Sequence, residues 1–366
     1  SPANLTLEYV RNDLGIDENH IPLLNINSAT VPGAAAGWVD TINWFGSGNL
    51  KLAEILQPAI DLAENGYPVS EISAWIWKVG ESDLLNASTN GCDMLIDGRA
   101  PKCRIAQAIV ETVQSKGGVM SLDDLASHTS TRVDPISINY KDVTIWECPP
   151  NGQGITALIA LGIIKSLQES GKIRDLSEMT HNSAEYLHVV IESLRLAFAD
   201  STYYVADPDF YDMTKKLLSK DYLSKRAQLF DPTKANVNID KGSPVNSSDT
   251  VYFTVVDEKG NALLLNLLHH SCNPQTALDS PRILIEPHIT SLIDKSSISY
   301  VSIEDGISED VINKLRELGH HVKVVKGFQR SIFGRGQIIE QKIDPKTGMR
   351  VWAAGSDFRG DGHVIG

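Results

Sequence analysis

Apolar residues recur at helical spacing over 50–71, where Leu52, Ile55, Leu56, Ala59, Ile60 and Ala63 share one face. Asn65-Gly66 and Pro68 end that run, so the pattern predicts a helix with a defined stop. Before it, "VPGAAAGWVD" (31–40) follows a Pro-Gly break with small residues, which suits a closely packed helix start. "RIAQAIVETVQSKGG" (104–118) is amphipathic with Gly117 at its stop, and Ser121 caps a short helix after it. The period changes to two in "PISINYKDVTIWECPP" (135–150), which predicts two strands around Lys141-Asp142. "PPNGQGITALIALGIIKSL" (149–167) then turns through two prolines and two glycines into a helix apolar on nearly all sides, hence buried.

Over 182–210, Leu187, Val190, Ile191, Leu194 and Phe198 form one stripe, and 215–229 reads as a charged helix. Residues 231–248 hold Pro, Asn, Gly and Ser with few apolar positions and read as an exposed, mobile linker. Beyond it, 251–256 alternates as a strand and 257–261 forms a hairpin loop. Residues 263–270 and 273–282 are helical, 309–325 is helix, glycine stop and strand, and 334–355 is a strand pair around Asp344-Pro345-Lys346-Thr347-Gly348. Helical blocks alternate with hairpin-joined strands. The fold class is therefore α+β, with antiparallel sheet covered by helices, rather than a doubly wound parallel sheet.

Composition narrows the functions this fold can carry. The 366 residues carry a formal charge of −13 with 42% hydrophobic and 22% charged positions. That balance disfavours a nucleic-acid surface, which needs clustered Lys and Arg. The longest apolar stretch, 155–164, falls far short of the ~20 residues that cross a bilayer. Cys92, Cys103, Cys148 and Cys272 are too widely spaced for a zinc site. Adjacent histidines diverge by about 100° on a helix and point to opposite faces of a strand, so His269-His270 and His320-His321 read as exposed turn residues. Asp357, Arg359 and Asp361 read as a solvated turn, and Arg282 as the partner of a local carboxylate. The chain opens on Ser1-Pro2 without Met or a signal-like segment, so cytoplasmic and secreted locations both stay open.

The chemistry concentrates at "SSDTVYFTVVDEKGNA" (247–262). From position alone, Thr250 is an ordinary residue at a strand start. A threonine there can also attack its own preceding carbonyl if the peptide is strained, and hydrolysis of the resulting ester frees it as a new N-terminus. Its α-amine, with an ordinary pKa near ~8, then lies within reach of its own hydroxyl, so one residue supplies nucleophile and base.

The sequence resembles the γ-glutamyltransferase (glutathione hydrolase) family of N-terminal-nucleophile hydrolases, and looks closest to its glutathione-hydrolase-like branch. "DTVYFTVVDEKGNA" is similar to the family's self-cleavage segment, and "VPGAAAGW", "QPAIDLAENGYPVS", "PPNGQGITAL", "LRLAFADSTYYVADPDF", "NPQTALDSPR" and "AAGSDFRGDGHVIG" follow in family order from 31 to 366. The resemblance implies a proenzyme cut between Asp249 and Thr250 into a large chain, 1–249, and a small chain, 250–366. The two pair as one globular αββα four-layer sandwich. Thr250 takes a γ-glutamyl group from glutathione or another γ-glutamyl compound and passes it to water or an amino acceptor, with no metal or organic cofactor. Asn151 and Gly152 are the candidate substrate-binding residues, with a plain strand-to-helix turn as their alternative.

The resemblance breaks in three places. The paired-glycine motif and a substrate-binding arginine that the family carries upstream are not found. "RAPKCRIAQ" (99–107) joins segments that the family separates by helices. After Gly260-Asn261, "LLLNLLHHSCNPQTALDSPR" resembles a helix that the family places far downstream. Leucines there favour helix over the β-branched partner a hairpin needs. The skipped stretch carries the family's oxyanion hole and substrate clamps, so the sandwich is expected to be incomplete. The alternative reading is a non-catalytic family member acting as a binding or scaffold protein.

Overall fold

The computed structural model of the chain describes residues 2–16, 21, 25–65, 75–76, 78–79, 113–115, 117–209, 211–236, 239, 242, 260–286 and 300–360. It divides into two compact units, Ser1–Arg132 and Val133–Gly366.

In the first unit, α1 (Ala34–Phe45) and α2 (Leu52–Asn65) occupy the two predicted helical stretches. α3 (Leu122–Ala126) is opened by a reciprocal capping box in which the Ser121 hydroxyl accepts from the Asp124 amide and Asp124 accepts from the Ser121 amide. Each bond satisfies a donor that the first helical turn leaves without a partner. Val113 and Met120 form a small core with Ile26, Val31 and Leu125. Of the predicted 104–118 helix, residues 113–115, 117 and 118 are described; 113–115 are helical and Gly117, the expected stop, turns at φ 81°.

The second unit is built on two long helices. α4 (Gly154–Glu169) buries Ile155, Leu158, Ile159, Leu161, Ile163, Ile164 and Leu167, as its all-round apolar sequence requires. α5 (Ala184–Tyr204) packs beside it, and β1 (Ile136–Tyr140) and β2 (Val143–Glu147) form the predicted antiparallel hairpin, with Ile138 opposite Ile145. Each such Ile or Leu taken from water contributes roughly 1.5–3 kcal/mol, so these helices anchor the unit. The charged stretch 215–229 forms two helices, α6 (Thr214–Leu217) and α7 (Lys220–Gln228), because Ser219 turns extended and caps α7 through the Tyr222 amide.

Beyond the linker, α8 (Gly260–His270) and α9 (Pro274–Asp279) are the two leucine-rich and proline-led helices read from the sequence. β3 (Ile283–Glu286) pairs antiparallel with β4 (Tyr300–Glu304), and β4 pairs parallel with β5 (His321–Val325). The parallel pair departs from the all-antiparallel expectation. α10 (Glu309–Glu317) supplies the crossover that a parallel pair demands. β6 (Gln337–Ile343) and β7 (Arg350–Ser356) form the final hairpin around the expected turn.

The segment expected as an exposed linker is tied down at its described positions. The Ala235 amide donates to Leu318 O at 2.6 Å, the Asn236 amide to Glu192 Oε2 at 3.0 Å, and the Gly242 amide to Asp200 Oδ1 at 2.7 Å. These partners lie on α5 and just after α10, positions that no local pattern in 231–248 reveals.

Candidate active site

Asp249 and Thr250 lie outside the described residues, as do the strand and hairpin loop expected over 251–259. The described chain brackets them: Gly242 is held on one side and α8 begins at Gly260 on the other.

Asn151 and Gly152 stand on the loop between β2 and α4, both exposed, next to a cis Pro150–Asn151 peptide. The Gly152 amide donates to Pro149 O at 3.2 Å, a bond internal to the loop. The loop delivers the chain to the N-terminus of α4, whose first amides face it.

The "DSPR" and "GSDFRG" blocks meet in one buried ionic cluster, which corrects the reading of Asp357 and Arg359 as a solvated turn. Arg359 is fully buried. Its Nε and Nη2 donate to the two oxygens of Glu304 at 2.7 and 2.5 Å, and its Nη1 donates to Asp357 Oδ1 at 3.0 Å and Leu278 O at 2.9 Å. Arg282 pairs with Asp357 at 2.5 Å, a carboxylate distant in sequence rather than the local one expected, and also donates to Gly334 O and Leu278 O. Two arginines thus balance two carboxylates, with Arg330 at 3.8 Å from Glu304 on the rim. Burial alone would raise the Asp357 pKa. The amides of Arg359 and Gly336 and the charge of Arg282 outweigh it and hold the carboxyl below its ordinary range. Burial first, and then the neighbouring Arg359, lower the Arg282 pKa. The bonds from Arg359 and Arg282 reach Leu278 O, Glu304 and Asp357, so the cluster locks α9, β4 and the C-terminal block together. Asp361 lies outside the described residues.

One member of each histidine pair corrects the reading of both pairs as exposed turn residues: His269 and His320 are buried. His270 is half-buried on α8 and His321 is exposed at the start of β5. His269 Nε2 lies 2.9 Å from the Tyr140 hydroxyl, and Asp175 Oδ1 stands 3.3 Å from its Nδ1. Burial, then Lys141, pull its pKa down to about 4. His188 Nε2 donates to the Asp231 carbonyl, so its Nδ1 accepts from His320 Nε2 at 2.7 Å. Burial and then His188 lower His320 to about 3. His269 ties α8 to β1, and His188 ties α5 to the connections around Asp231 and His320. Among the described residues no group of three His, Cys, Asp or Glu could hold a metal, and Cys148 and Cys272 are free thiols.

Sequence reasoning missed the polar stripe on α5. His188, Glu192 and Asp200 are all buried, and their spacing in multiples of four places them along one side of a helix. Asp200 accepts from Arg226 Nε at 2.9 Å and from the Gly242 amide. Polar residues at fixed helical spacing inside an apolar run were the available signal. An open cleft of about 710 Å³ lies beside His188, between Lys172, Phe230 and Lys314. None of the residues expected at the site lines it.

A model of the gamma-glutamyltranspeptidase family matches the chain in three stretches, residues 1–104, 102–265 and 262–366. The glutathione hydrolase-like YwrD proenzyme of Bacillus subtilis is 31% identical over 284 residues, covering 69% of this chain and 51% of that protein. The Escherichia coli glutathione hydrolase proenzyme is 26% identical over 297 residues, covering 72% and 50%. The crystal structure of cephalosporin acylase from Bacillus halodurans superposes with a TM-score of 0.74 at 25% identity, over 100% of this chain and 83% of that one. The likeness shows the fold expected from the sequence, the α+β sandwich of the N-terminal-nucleophile hydrolases. The chain spans about half the length of the curated relatives it matches.

Proposed function

The chain belongs to the gamma-glutamyltranspeptidase family, and from that premise we propose that it is a glutathione hydrolase-like proenzyme that cuts itself between Asp249 and Thr250. The Thr250 hydroxyl adds to the Asp249 carbonyl, the acyl group moves from nitrogen to oxygen, and water hydrolyses the ester. The freed α-amine then takes the proton from the hydroxyl as Thr250 attacks the γ-glutamyl amide of glutathione or a related compound. The leaving amine departs protonated, and water or an amino acceptor removes the γ-glutamyl group from the ester. No side chain beyond Thr250 is needed as base. The observation that supports this reading is the central family stretch, 102–265, whose bounds include Asp249 and Thr250. The relatives described as glutathione hydrolase proenzymes support it. Asn151 and Gly152 remain its proposed substrate contacts.

One observation favours a second reading, a non-catalytic member that keeps the fold as a binding or scaffold protein. The family stretches overlap at 102–104 and at 262–265, at the two junctions at which the sequence resemblance skips family segments. The second junction falls inside α8, so a helix follows where the nucleophile strand requires a hairpin partner. A site lacking one oxyanion donor loses ~10²- to 10³-fold in rate. Parent and Thr250→Ala protein on a denaturing gel, followed by a γ-glutamyl anilide assay, separate the readings. Two bands for the parent alone, with anilide cleavage, establish the enzyme. Two bands without anilide cleavage leave a self-cleaving chain that does not transfer. One intact band for both proteins establishes the non-catalytic reading.

A further inference from the structure

We propose that the open face of the β6–β7 hairpin is a docking surface for a second copy of this chain, so that two hairpins stack face to face in a twofold dimer. Alternation sorts the hairpin's side chains into two sets. The pairings Ile339↔Ala354, Gln341↔Trp352 and Ile343↔Arg350 put those six residues on one face, and Ile338, Val351, Ala353 and Gly355 fall on the other. The second face packs on α9, where a Cβ at Gly355 would sit 2.8 Å from the Gln275 amide. The first is open: Ile339 is 72% exposed, Ile343 60% and Trp352 68%. Trp352 stands diagonally between the two isoleucines, so the three form one apolar strip.

A hairpin covered on one side and wet on the other alternates apolar and polar. This one is apolar on both sides, the pattern of a sheet held between a helix layer and a second sheet, as the inner sheets of an αββα sandwich are. α9 supplies the helix layer, and the open face calls for a sheet. The same face of another copy fits it. The strip has exposed polar ends, Arg350 beside the turn and Gln337 at the base, around an apolar middle, the layout of an interface core with its rim. With the strands of the two copies antiparallel and the twofold at mid-strand, each Trp352 lies over Ala354 of the other copy, large against small. Each Arg350 comes over the other copy's Gln337↔Ser356 pair, within reach of the Gln337 amide oxygen. The two Arg350 charges stay at opposite ends, about 20 Å apart along strands of this length. A twofold contact of this kind closes after two copies. The strip is only two strands wide, small against the ~800 Å² that each partner buries in a standard interface, so the dimer is weak and dissociates in the micromolar range.

The test is sedimentation equilibrium of the full chain over a concentration series reaching ~100 µM, with a far-UV circular dichroism spectrum of each variant. The expected result is a mass that rises from one chain towards two, with a dissociation constant raised about tenfold or more in Trp352→Glu and in Ile339→Lys at unchanged spectra. Leu229→Glu, an exposed leucine at the end of α7 and off the hairpin, leaves the constant at the parent value. Gln337→Glu gives Arg350 a carboxylate and tightens the dimer about twofold or more. A chain that is monomeric throughout overturns the proposal, as do assembly that continues past two copies, a dimer that survives both hairpin variants, one that Leu229→Glu weakens equally, and one that Gln337→Glu fails to tighten. Loss of the folded spectrum in both hairpin variants overturns it too, because it places the face within the chain's own packing.

Discussion

Replacing Glu304 by Ala tests whether the buried ionic cluster holds the second unit together. Glu304 is 1% exposed and receives two hydrogen bonds from Arg359, itself 0% exposed. Its removal leaves Arg282 and Arg359 sharing Asp357 alone, one positive charge in excess in a buried site. Breaking a buried pair in this way costs about 3–5 kcal/mol, a large part of the ~5–15 kcal/mol that stabilises a typical domain. At a urea slope of ~2–3 kcal/mol per molar, the unfolding midpoint drops by roughly 1–2.5 M. The double variant Glu304→Ala, Arg359→Met restores charge balance around Arg282 and Asp357 and recovers part of the loss, a coupling expected of groups in contact. Glu309→Ala is the comparison: its pair with Arg316 is solvent-exposed on both sides, so its midpoint stays at the parent value. A Glu304→Ala midpoint within ~0.2 M of the parent, on slopes of this size, refutes the assignment of the cluster as a structural lock.

Two further outcomes follow from the described geometry. His269 and His320 are held near 4 and 3, below the ordinary ~6.5 of an unfolded histidine. The unfolded chain therefore takes up protons that the fold does not, and stability falls as pH drops below about 6.5, by ~1 kcal/mol per pH unit for each group. Urea midpoints measured from pH 7 to 5 should decline, and His320→Gln should flatten the decline; a slope unchanged by that substitution would count against the burial argument. Gly355→Ala drives a Cβ to 2.8 Å from the Gln275 amide and 2.9 Å from the Pro274 carbonyl carbon. Backbone cannot rotate away, so a thermal scan should show a loss of about 1–3 kcal/mol, and a neutral result would mean β7 can slide off α9.

Much of the fold was legible because periodicity is a local property. α4, α5 and α10 announced themselves by apolar spacing, and β6–β7 by a turn sequence that fixes its own register. The parallel pairing of β4 with β5 was not, since it depends on where α10 lays the chain after leaving the sheet. The buried status of Arg359 and His320 was hidden for a related reason. Glu304 lies 55 residues from Arg359 and His188 lies 132 from His320, and no window along the chain contains both partners. The expected nucleophile came from motif order and falls outside the described residues, while the polar stripe of α5 that grips the segment before it was readable in principle from its spacing.

The core of the second unit ignores the expected division of the chain. Leu161, Ile164 and Leu187 from before Thr250 pack in one cluster with Leu265, Ile283, Val301, Ile303 and Leu315 from after it. A nick at Asp249–Thr250 would therefore change connectivity and leave packing untouched: the pieces would elute together until denatured. Once denatured they would not find each other as a single chain does. Refolding would pass from a first-order search to a second-order encounter between two partial cores, so the rate of recovery would rise with concentration for the nicked protein and stay constant for the intact one.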